Sequence, residues 1–142
     1  MEDLYLFVSS GDSRSTHENN VAGDFTVNLP RPHHLCGSWE CALKEITFVP
    51  DFETSTDRIY VCTDLVEDSY VKNTSLSVLR SIDVGFDENR VDLTFESPFY
   101  FKMRQEELRQ FRIFLLDGDL KPCRFKIDRL YCTLHLRYRH IM

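Results

Sequence analysis

The sequence predicts an all-β fold, a sandwich or barrel of about eight short antiparallel strands, and three observations carry that prediction. Apolar residues recur with period two along most of the chain, the repeat of a strand buried on one face. Aromatic side chains are abundant, with 11 Phe, 6 Tyr and 1 Trp among 142 residues, and large rings favour the pleated surface of a sheet. Helical spacing is confined to one short stretch, and no internal repeat or linker divides the chain.

The first strand is Leu4, Leu6 and Val8 alternating with Tyr5, Phe7 and Ser9. Residues 10–23 are polar and without apolar period, which reads as a long loop. Phe25, Val27 and Leu29 alternate with Asp24, Thr26 and Asn28. Pro30 and Pro32 are expected to close that strand, because proline cannot donate to a ladder. Trp39, Cys41 and Leu43 then alternate with Glu40, Ala42 and Lys44, after which the apolar phase slips to Ile46 and Phe48. A one-residue slip reverses the inward face unless a bulge absorbs it, so a bulge is expected near Lys44-Glu45. Further strands fit residues 58–65, 76–84, 90–95, 99–102, 112–116 and 130–137, with Asp117-Gly118 as a turn. Residues 103–111 read as a short helix, with Leu108 and Phe111 three apart and Gln105-Glu106-Glu107 near its start, or else as a loop.

The length is that of one domain covering residues 1–142, with a polar loop at 10–23 and a short basic tail at 138–142. A domain of this size buries roughly 68–70% of its unfolded surface, enough for a core without disulfides. The formal net charge is −6 and the pI about 5.3, which disfavours nucleic-acid contact, since that needs a basic footprint. Residues 1–71 carry four basic and thirteen acidic side chains, the remainder thirteen and ten. The unevenness is either chance or the mark of complementary flanks suited to head-to-tail contacts. Five cysteines without a C-x-x-C pair point to buried thiols in a reducing compartment. The start, Met-Glu-Asp-Leu-Tyr, has neither the charge nor the apolar run of a signal peptide, and no run is long enough to span a membrane.

Catalytic constellations are weak. His33-His34-x-Cys36 offers three ligand types, but extended neighbours point to opposite faces and no second cluster completes a shell, so no metal is expected. His135, between Leu134 and Leu136, reads as a structural histidine. The carboxylates Asp64, Glu67, Asp68, Asp83, Asp87 and Glu88 fall into no glycosidase or metal context. Ser9-Ser10-Gly11 and Ser97 form no nucleophile elbow, and phosphate-binding and dinucleotide fingerprints are absent. The reading is of a protein that is not an enzyme and holds no cofactor. The basic residues Arg124, Lys126, Arg129, Arg137, Arg139 and His140 form either a solvated strand edge or an electrostatic contact with a partner's acidic surface or packaged nucleic acid.

Asp24-Phe25-Thr26-Val27-Asn28-Leu29-Pro30 is followed by Leu35-x-Gly37-Ser38-Trp39-Glu40-x-Ala42-Leu43-x-Glu45-Ile46. Ile59-Tyr60-Val61-Cys62-Thr63-Asp64-Leu65-Val66, Leu79-Arg80, and Asp117-Gly118 with Leu134-His135-Leu136-Arg137 complete the series. In order and spacing these blocks resemble the minor capsid (penton) proteins of Polinton/Maverick elements and the related adintoviruses and adomaviruses. The resemblance implies a single jelly-roll sandwich of about eight strands in two sheets. It implies homopentamers at icosahedral five-fold vertices of a virion, beside double jelly-roll major capsid proteins, with room for a vertex spike as a further partner. Assembly would take place inside the host cell, the nucleus included. Gly37, Trp39, Glu40, Glu45, Asp64, Arg80 and His135 are the motif positions, with structural roles. The length leaves no space for a large upper insertion. The alternative is a non-viral β-sandwich module that binds a ligand or carbohydrate.

Overall fold

The computed structural model describes residues 3–12, 17–51, 58–84 and 90–139. They form β1 (Asp3–Ser9), β2 (Asp24–His34), β3 (Trp39–Pro50), β4 (Arg58–Thr63), β5 (Ser69–Val71), β6 (Thr74–Leu76), β7 (Val78–Asp83), β8 (Val91–Thr94), β9 (Phe101–Lys102), β10 (Glu107–Asp117) and β11 (Phe125–Tyr138), with no helix among the described residues. The first sheet has the order β1-β11-β3-β8, with β9 also pairing β3, and the second has the order β2-β10-β4-β7. Successive long strands change sheet at every step except β4 to β7, which are neighbours. This winding is a jelly roll, the fold that the resemblance implies.

The two sheets close over one continuous apolar layer. Phe25, Phe48 and Phe111 lie at its centre, joined by Leu43, Ile46, Leu108, Ile113, Leu115 and Leu130, all at most 1% exposed. Burying each such side chain stabilises by about 1.5–3 kcal/mol, so the alternating rows dominate the energetics.

The expected bulge in β3 is present. Thr133 of β11 faces Glu45 while the next residue, Leu134, faces Leu43, which leaves Lys44 as the extra residue. The inward set changes there from Cys41 and Leu43 to Ile46 and Phe48.

The helix or loop expected over 103–111 is overturned, because Glu107–Phe111 belongs to β10. A register shift between Leu108 and Gln110 turns both Arg109 and Gln110 outward. Leu108 and Phe111 therefore both point inward three residues apart, a bulge that imitates a helical interval. The disruption faces Pro30 and Pro32, which do not end β2. Pairing lapses after Asn28 and resumes at His33, which an edge strand tolerates.

Other boundaries move as well. The final strand begins at Phe125 rather than Leu130, residues 58–65 form a strand only to Thr63, and residues 99–102 only from Phe101. The expected strand over 76–84 separates into the end of β6 and β7. The polar loop after β1 is partly built in: Ser10 is fully buried and its hydroxyl accepts the Leu130 N–H at 3.0 Å. Residues 13–16 of that loop, and residues 140–142 of the tail, lie outside the described residues. The hairpin β5–β6 turns through Lys72 and Asn73, with φ of 48° and 65°, the pattern of a type I′ turn.

Candidate functional site on the outer face of the first sheet

Antiparallel pairing sets Asp3, Tyr5 and Phe7 of β1 beside Arg137, His135 and Thr133 of β11. These in turn lie beside Glu40, Ala42 and Glu45 of β3. Period two sends this whole set to the outer face, and it collects three motif positions, Glu40, Glu45 and His135, with Trp39 in the core-packed row of β3 and Gly37 just beyond.

One end of this face is a closed polar network. His135 Nε2 lies 2.8 Å from Asp3 Oδ1 and Nδ1 lies 2.7 Å from the Tyr100 hydroxyl. On a neutral ring, Nε2–H donates to the carboxylate and Nδ1 accepts from the phenol. The ring also stacks on Tyr5 at 4.5 Å. Desolvation pushes the Tyr100 phenol up, against the opposing pull of Arg137, so it remains a proton donor. The Arg137 guanidinium lies 3.4 Å above the Tyr100 ring and donates from Nε to Glu40 at 3.1 Å. Arg139 donates to the second Glu40 oxygen at 3.5 Å. Glu40 is buried, and a buried carboxylate requires such cations. Two of the C-terminal basic residues, Arg137 of β11 and Arg139 of the tail, therefore serve this carboxylate.

Gly37 closes that end. Its φ is +89° and the Tyr138 ring covers it, so that an added Cβ would come within 2.9 Å of the phenol oxygen. Trp39 packs edge-on to the same ring at 6.0 Å and donates its indole N–H to the Cys36 carbonyl at 3.1 Å.

The other end is open. Phe7 is 77% exposed and Tyr131 is 47% exposed. They border a shallow groove of about 330 Å³ that also takes in Glu45, Thr47 and Thr133. The Thr133 hydroxyl donates to Glu45 at 2.7 Å, and that of Thr47 donates to Asp92 at 3.0 Å.

Asp64 and Arg80 lie away from this face. The Asp64 carboxylate accepts the Arg112 backbone N–H at 2.9 Å. The Arg112 guanidinium forks onto both oxygens of Asp24 at 2.7 Å each and stacks on Phe114. Arg112 thus ties together acids from two family-like blocks. Sequence reasoning missed it, since Arg112 lies in none of the blocks. Arg80 sits between Phe95 and Phe99, 4.1 and 3.9 Å from their ring centres, and pins β7 of the second sheet to the segment following β8 of the first.

His33, His34 and Cys36 do not converge, and no group of three His, Cys, Asp or Glu is arranged for a metal among the described residues. Cys41, Cys62 and Cys132 are buried, Cys123 is half-buried and Cys36 is exposed, all as free thiols. Desolvation pushes Cys62, Cys123 and Cys132 up to about 12 and Cys41 further still, which suits packing rather than nucleophilic attack. No helix among the described residues is long and apolar enough to cross a membrane. A scan of protein-family models finds none that matches the chain, and a search of curated proteins likewise finds no match.

Proposed function

We propose that this chain is a structural capsid subunit of the penton type, forming homopentamers at the five-fold vertices of an icosahedral virion beside double jelly-roll major capsid proteins. The observation that carries the reading is the jelly-roll winding of a chain whose sequence blocks resemble that family. The motif positions add support, because their side chains are spent on the scaffold. Glu40 and His135 are enclosed by partners, Gly37 makes room for Tyr138, and Arg80 joins the sheets. A vertex subunit needs rigidity and flanks, not chemistry.

Size exclusion with light scattering, followed by electron microscopy, tests it. The expected result is a discrete species five times the 16.8 kDa chain, seen as five-fold rings. A monomer at every concentration refutes it.

The groove favours a second reading, a carbohydrate-binding module. Rings at Phe7 and Tyr131 would face the C–H surface of a sugar while Glu45 accepts its hydroxyls. Calorimetric titration with oligosaccharides tests this reading, which requires binding that Tyr131→Ala abolishes.

A further inference from the structure

Besides the two-residue β9, four strands border the two large sheets: β1 and β8 in the first, β2 and β7 in the second. A bordering strand offers unpaired N–H and C=O groups to other chains, and folds protect such borders with proline, charge, shortness or irregular register. Three of the four are protected here. The β2 border carries Pro30, Arg31 and Pro32. In β8 there are only four residues, with Asp92 among them. Register with β4 is broken in β7, which presents Arg80 and Asp83.

Beyond Asp3 at its start, β1 has no such protection. From Leu4 to Val8 it reads Leu-Tyr-Leu-Phe-Val, and it pairs β11 through seven successive residues without a shift. Tyr5 and Phe7 are 50% and 77% exposed, with their rings stacked 6.4 Å apart. Asp3, at the start of the strand, keeps 59% of its side chain exposed.

The β7–β8 side carries a counterpart of opposite charge. Arg80 has no carboxylate partner among the described residues, its contacts being Phe95, Phe99 and the Ser97 carbonyl. Phe99 is 57% exposed. Because β1 and β8 are the two borders of one sheet, with β11 and β3 between them, the two patches face away from each other. Different patches on opposite borders make a heterologous contact, the type from which a ring is built where the repeated rotation closes.

Resting on the ring-forming reading above, we propose that the β1 border, with Asp3, Tyr5 and Phe7, docks on the Arg80–Phe99 corner of a second copy of this chain. The exposed rings of one copy cover Phe99 of the next, and Asp3 approaches Arg80.

The full chain is tested as wild type and as Phe7→Lys and Phe99→Ser, both at side chains that already face solvent. Circular dichroism and melting report that each variant folds, and sedimentation velocity reads the assembly. The expected result is a wild-type ring and at least tenfold weaker association of each variant alone. An equimolar mixture of the two variants gives a heterodimer through the one intact contact. A ring that persists in both variants overturns this contact and leaves the ring reading standing. Loss in Phe7→Lys alone overturns the counterpart corner. A monomeric wild type overturns the ring reading and this contact together.

Discussion

The two ends of the first sheet's outer face are built from the same three strands and behave as opposites. At the His135 end, two carboxylates, two arginines, a histidine and a phenol satisfy one another, and Gly37 lets Tyr138 cover the margin. At the Tyr131 end, large rings stand in water beside a groove. A strand pair can thus be locked at one end and available at the other. The locked end holds β1 in place while the available end carries the exposed surface.

The largest effect expected along this contrast is at Gly37. Gly37→Ala puts a side chain at positive φ and against Tyr138, a cost of about 2–3 kcal/mol measurable as a lower urea midpoint. A change below about 0.5 kcal/mol would show that this end is not locked. His135→Ala comes next. It leaves Asp3 and Tyr100 without their partner and removes the Tyr5 stack, a loss of about 1–2 kcal/mol. Amide exchange along β1 should quicken in this variant, and unchanged exchange would show that the histidine does not anchor the strand.

The buried thiols supply a third test. Folded Cys62, Cys123 and Cys132 titrate at about 12 against 9.0 for an ordinary thiol. Between those values the folded state binds more protons than the unfolded one, so stability is complete below pH 9 and falls as pH rises toward 12. Each of these thiols accounts for about 1 kcal/mol between pH 8 and 10. Comparing urea midpoints at the two pH values checks this, and Cys132→Ala should shrink the difference. The smallest effect is at the open end, where Tyr131→Ser should alter stability by less than about 0.5 kcal/mol. A larger loss would mean that the exposed ring supports the fold after all.

The strands were legible where alternation ran unbroken, and the β3 bulge was legible because two clean runs in opposite phase flank Lys44. The β10 bulge was not. Only Leu108 precedes it in the strand's apolar row, and one residue cannot establish a phase. Pro30 and Pro32 were misread for a different reason. Proline ends an interior strand but is tolerated on a border, and only the finished sheet order says which β2 is. The β5–β6 hairpin was missed because three-residue strands are too short to show a period. Within the site, the alternation of Leu134 and Leu136 already placed His135 on the opposite face. Its partner Asp3 lies 132 positions away in sequence, a distance over which no local pattern reports. Arg112 was hidden similarly, since Asp24 and Asp64 meet it only through the crossing of β10.

Lys44 makes the interior of this protein a matter of parity. Ahead of it in β3 the odd-numbered residues Cys41 and Leu43 face inward, and beyond it the even-numbered Ile46 and Phe48 do. Removing this one lysine would leave Leu43, Glu45, Ile46, Thr47 and Phe48 in unbroken alternation, so both apolar rows would still face inward on a regular ladder with β11. A single-codon deletion in this gene would therefore be absorbed at Lys44, whereas the same deletion at Thr47, inside a clean run, would turn Phe48 toward water.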